Sequence, residues 1–162
     1  MKWRKWLENW DMTSLKISAP FLEMEWNPAE SDKNAAWELY IELLTRITTQ
    51  PLINDHGNEI NALESVYSLF GLTRKIIKSH GKDCSEFTKI AIVVLNQIIR
   101  PFTAKWHKYS IEDTLKKEDK FIEFRKELTV LQEKLCIYTK MLSDMAGVED
   151  LTKLELEVDN SY

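Results

Sequence analysis

Apolar residues recur at three- and four-residue steps over most of the chain. The most regular run is Phe121, Phe124, Leu128, Leu131, Leu135, Tyr138, Leu142 and Met145. Alternating threes and fours make a heptad seam, so Lys117 to Ala146 is expected to form one helix ended by Gly147, on the order of 45 Å long. A seam of this kind packs inside an antiparallel bundle or across a dimer.

Three more helices are expected upstream. Ser31 or Asp32 caps the first, which runs to about Gln50 before Pro51 stops it. Its buried stripe is Trp37, Tyr40, Ile41, Leu44 and Ile47, and Glu42 pairs with Arg46 one turn on. A turn at Asn54 to Asn58, with Asp55 and Gly57, leads to the second, Glu59 to Ser79, where Leu63, Val66, Tyr67, Phe70 and Ile77 repeat and Gly81 ends the helix. Gly71 lies inside it; a mid-helix Gly costs about 1 kcal/mol relative to Ala, so it is expected to mark the close approach of another helix. The third, Ser85 to His107, is apolar nearly all round from Ile90 to Ile99, the pattern of a central, most buried helix. Pro101 should kink it and redirect Phe102 and Trp106.

The ends read differently. Trp3, Trp6, Leu7 and Trp10 have helical spacing, so Lys2 to Trp10 is a short amphipathic helix. Beyond it, Leu15, Ile17 and Ala19, and then Leu22, Met24 and Trp26, alternate like an extended edge segment interrupted by Pro20. Leu154, Leu156 and Val158 alternate as well. One expectation is a two-stranded ribbon joining Leu22–Trp26 to Leu154–Val158, opposed by the like charges of Glu23, Glu25, Glu155 and Glu157; the other is that residues 148–162 form a frayed acidic tail. The fold class is thus mainly α: one domain over residues 1–162, a four-helix bundle with a short N-terminal helix and extended N- and C-terminal segments.

Composition supports this frame. With 44% hydrophobic residues among 162, a core can form without cross-links, and four Gly and four Pro are too few for the turns of an all-β protein. Cys84 and Cys136 each lie in an apolar helical stretch and read as reduced core thiols rather than a disulfide, which implies a cytoplasmic setting. The most apolar stretch, Ile90 to Leu95, falls well short of the roughly 18 residues of a membrane span, and MKWRKWLENW lacks the apolar run of a secretory signal. The net charge of −4 resides in Val148–Tyr162, so the remainder is neutral and nucleic acid is not an expected partner.

No constellation announces catalysis or a cofactor. His56, His80 and His107 are scattered, and none follows a Glu by three residues, so neither the helical di-iron pattern nor His-Glu-x-x-His is present. There is also no phosphate loop, no metal-spaced Cys pair and no serine elbow. No metal site, cofactor or enzyme activity is therefore expected.

Lys89, Asn96, Arg100, Thr103 and His107 fall on one stripe of the third helix, and Arg74 lies in line with Tyr67 and Phe70 on the second. Two readings are open. In one, these groups sit at the bundle margin, paired with Glu38, Glu42 or backbone carbonyls; in the other, Arg74, Asn96, Arg100 and His107 form an anion or partner site with Arg74 and Arg100 as forked donors. The basic run Arg74, Lys75, Lys78, His80 and Lys82 reads as a solvated face. The N-terminal tryptophans pack on the bundle or, alternatively, dock at a membrane surface.

The strings WELYIELLTRITTQPL (Trp37–Leu52), YSLFGLTR (Tyr67–Arg74) and VLNQIIRPFTAKWH (Val94–His107) resemble a family of small bacterial helical proteins. Trp37, Arg46, Gln50, Arg74, Asn96, Arg100, Trp106 and His107 are the matching positions. The resemblance implies an accessory component encoded beside antiviral-defence genes. The function expected from the whole sequence is a non-catalytic interaction or regulatory subunit that self-associates or binds a protein partner. The alternatives are a small-molecule or nucleotide sensor that binds an anion through Arg74 and Arg100, and a membrane-docked effector.

Overall fold

In the computed structural model, which describes residues 1–46, 48–50, 52, 58–113 and 115–154, the chain is a bundle of α-helices. In order these are α1 (Trp3–Asn9), α2 (Ala19–Leu22), α3 (Glu30–Leu44), α4 (Glu59–His80), α5 (Ser85–Val94), α6 (Arg100–Ile111) and α7 (Glu118–Ala146). A 3-10 turn, Gly81–Asp83, joins α4 to α5, and a π-helical segment, Leu95–Ile99, joins α5 to α6. Among the described residues no helix is long and apolar enough to cross a membrane.

The heptad run forms α7 as expected. Phe124, Leu128, Leu131, Leu135, Tyr138, Leu142 and Met145 are buried; Phe121 stays exposed at the entrance, and Gly147 closes the helix in the left-handed conformation. α7 lies along α3, which also packs on α4 and α5, so the hub of the bundle is α3 and not the expected third helix, where Ile92 is exposed. The hub is possible because α3 turns Ala35 and Ala36, both fully buried, toward its neighbours together with Leu39, Tyr40 and Leu43.

That face corrects the expected stripe of α3. Tyr40 is buried, but Trp37 is 43% and Ile41 38% exposed, and the helix stops at Leu44 rather than Gln50. Its start also differs: Ala29 is the N-cap, and buried Asp32 accepts from the Ala29 N–H at 2.8 Å and from the Phe87 N–H of α5 at 2.9 Å. One carboxylate thereby satisfies orphan donors at the starts of two helices. Ile47, Pro51 and the turn from Asn54 to Gly57, with His56, lie outside the described residues; Asn58 caps α4 by accepting from the Asn61 N–H at 3.1 Å.

The stretch expected to be extended contains α2, with Pro20 in its first turn, where a missing N–H costs nothing. Residues 24–26 do use their backbone, but with the N-terminus: Trp3 N–H donates to the Met24 carbonyl at 3.0 Å and Trp26 N–H to that of Met1 at 2.7 Å. Glu23 meets Lys2 at 2.8 Å and Arg4 at 2.9 Å; Glu155 and Glu157, expected to oppose it, lie outside the described residues. The start of the expected tail is not frayed, since Leu151 N–H donates to the Tyr40 hydroxyl at 2.6 Å; Leu154 is exposed, and residues 155–162, with Leu156 and Val158, lie outside the described residues. Trp3 and Trp6 are inserted into the core, Trp6 stacked on Trp26 with ring centroids 4.9 Å apart.

Candidate functional site

The break before Pro101 sets the geometry of the candidate site. Pro101 has no N–H to offer the preceding turn, and the chain responds with a π-helical turn in which Arg100 N–H donates to the Leu95 carbonyl, five residues back. The wider turn shifts the phase of everything after it, so the expected polar stripe divides. Lys89 belongs to the N-terminal cluster, paired with Glu86 at 2.7 Å and over the Phe21 ring; Thr103 is buried, its hydroxyl donating to the Ile99 and Arg100 carbonyls.

Asn96, Arg100 and His107 remain together along the seam where α6 packs on α4. Arg100 Nε and Nη2 donate to Asn96 Oδ1 at 3.2 and 3.1 Å, and its guanidinium lies 4.8 Å from the centroid of the Phe70 ring. His107 meets the Tyr67 ring edge-on at 4.8 Å. Arg74, one turn beyond Phe70, is exposed and makes no hydrogen bond or ion pair among the described residues. Arg100 and His107 are thus held by α4 aromatics and Asn96 by Arg100, while Arg74 stands on α4 itself.

The carboxylates expected as partners are engaged elsewhere. Glu38 Oε1 takes His80 Nε2 at 2.8 Å, and Glu42 Oε2 takes Arg46 Nη2 at 2.8 Å, the latter as the sequence implied. Gly71 is also not where another helix closes in: around a side chain added there, only Arg74 Nη2 comes as near as 4.0 Å. The position is open to solvent, which leaves its propensity cost without a packing reason.

A second cluster lies where α6 meets α7. Trp106 is fully buried and its indole N–H donates to Glu127 at 2.8 Å, while Lys105 bridges Glu123 and Glu127. The hydrogen bond from Lys105, joined by one from Lys120, holds the Glu123 carboxyl below its ordinary value; the same contact with Glu123, then Glu127, raises Lys105. Both cysteines are free: Cys84 is buried, but Cys136 is only half-buried, and desolvation pushes its thiol up. Among the described residues no group of three or more His, Cys, Asp and Glu side chains is placed to hold a metal ion.

Sequence reasoning missed the surface created by the phase of α3. Trp37 and Ile41, with Leu72 of α4, line an open groove of about 360 Å³ whose lips carry Glu38 and Glu42 on one side and Lys75 on the other. The signal was available in the spacing of Ala35, Ala36, Leu39 and Leu43, which forms a competing stripe of smaller side chains. Neither protein-family models, nor curated proteins, nor solved structures yield a match to this chain.

Proposed function

We propose that this protein is a non-catalytic interaction subunit that self-associates through the α3–α4 face. The observation that carries the reading is the exposure of Trp37 and Ile41 beside Leu72 in an open groove rimmed by charge. A large aromatic in a concave apolar patch with a polar rim is the anatomy of an interface hot spot. The rim also favours a second copy of the chain as the occupant. Glu38 and Glu42 line the α3 lip, while Lys75 on the α4 lip makes no ion pair among the described residues. A two-fold axis over the groove sets each acidic lip against the partner's Lys75, the arrangement an isologous dimer requires. The family resemblance adds a setting, an accessory component of a bacterial antiviral-defence system working in the cytoplasm.

The test is the mass of the protein in solution by light scattering. The wild type is expected at twice the chain mass and Trp37→Asp, at a solvent-exposed position, at the chain mass with unchanged helicity. A wild type that stays monomeric at its highest soluble concentration overturns the reading.

A further inference from the structure

The α4–α6 seam carries a second inference, independent of the dimer. Tyr67, Gly71, Arg74 and Lys78 succeed one another at four- and three-residue steps on one exposed face of α4, with Tyr67 53% exposed. Beside this face Arg100 lies over the Phe70 ring and is oriented by a neutral group, the Asn96 amide oxygen. Arg74 and Lys78 make no ion pair, and Arg100 meets no carboxylate, among the described residues. Cations that face one seam and make no ion pair among the described residues leave charge that an anion between them offsets.

Gly71 supplies the second observation. A helix interior disfavours Gly, and here no neighbour demands it, since a side chain would enter open space. What its bareness provides is a strip of backbone between the exposed Tyr67 ring and the Arg74 guanidinium, whose Nη2 lies 4.0 Å from where a Cβ would stand, with Arg100 over the neighbouring Phe70. An anion alone needs only the cations; an exposed ring one turn before the bare strip suits a flat, ring-bearing molecule.

We infer that this seam binds a free nucleotide, its ring lying against Tyr67 over Gly71 and its phosphate between Arg74 and Arg100. His107, edge-on to Tyr67, steadies that ring as a positioning residue.

Calorimetry on the full chain with adenosine monophosphate, adenosine, pyrophosphate and a short single-stranded oligonucleotide tests this. Adenosine monophosphate is expected to bind more tightly than adenosine or pyrophosphate, and Arg74→Gln and Arg100→Gln to weaken it about tenfold or more. Gly71→Ala discriminates: helix propensity raises its unliganded melting temperature, yet its affinity for the nucleotide falls. No binding of adenosine monophosphate to the wild type, or Gly71→Ala and arginine variants that bind it as tightly as the wild type does, overturns the proposal. Pyrophosphate bound as tightly as the nucleotide removes the ring from it, and tighter binding of the oligonucleotide replaces the free nucleotide with nucleic acid.

Discussion

The indole N–H of Trp6 donates to Asp144 Oδ2 at 2.7 Å, joining α1 to the last turn of α7 across 138 positions of sequence. Trp3 does the same to Glu86 of α5 at 2.8 Å, so a helix too short to persist alone is fixed by two buried rings whose polar edges reach carboxylates on different helices. Trp6→Phe keeps most of the ring and loses the hydrogen bond. The hydrogen-bond part of its cost in urea unfolding, about 1 to 2 kcal/mol, is expected to be absent when Asp144→Ala has already removed the acceptor. Equal costs in both backgrounds would show that the bond contributes nothing.

The seam of α7 is expected to respond like a core. Leu131→Ala removes a buried side chain facing the rest of the bundle and should destabilise by about 2 to 5 kcal/mol. A loss under about 0.5 kcal/mol would place the residue at a surface.

Tyr138 gives the opposite sign. Its ring is buried, its hydroxyl has no hydrogen-bond partner among the described residues, and burial raises its pKa well above the ordinary phenol value. Tyr138→Phe removes a desolvated polar group at little cost in shape, so the melting temperature should hold or rise. A fall of several degrees would mean that the hydroxyl is satisfied after all.

Acid stability should depend on Glu123. Its carboxyl is lowered from 4.5, first by Lys105 and then by Lys120. The folded state therefore gains stability that is complete above the unfolded value and lost as pH falls through the folded one. Lys105, raised from 10.5 by Glu123 and Glu127, adds stability complete below that value and lost as pH rises through the folded one. Glu123→Gln should flatten the acid limb of melting temperature against pH between about pH 2 and 5. An unchanged limb would assign acid unfolding to other carboxylates.

What could be read from sequence followed the strength of periodicity. α7 and α4 were legible because Leu128, Leu131 and Leu135, or Leu63, Val66 and Phe70, leave little choice of face. α3 was not, because a Trp and an Ile attract the assignment of core more strongly than two alanines, although close helix packing selects the alanines. The alternation from Leu22 to Trp26 suggested a strand because it does not distinguish a ladder from a segment pinned at two backbone bonds to the N-terminus. For the α4–α6 seam, Arg74, Asn96, Arg100 and His107 could be named from sequence, but the division of their stripe rests on a π-helical turn that periodicity does not encode.

The proposed self-association is tested most directly by exchanging charge across the α3–α4 face. Glu42→Lys and Lys75→Glu each set like charges against one another in a two-fold dimer, so each variant alone is expected to sediment at the chain mass. Mixed in equal amounts, the two restore opposite charges at both contacts and should sediment together at twice that mass. Variants that each remain dimeric, or a mixture that remains monomeric, would contradict association through the α3–α4 groove.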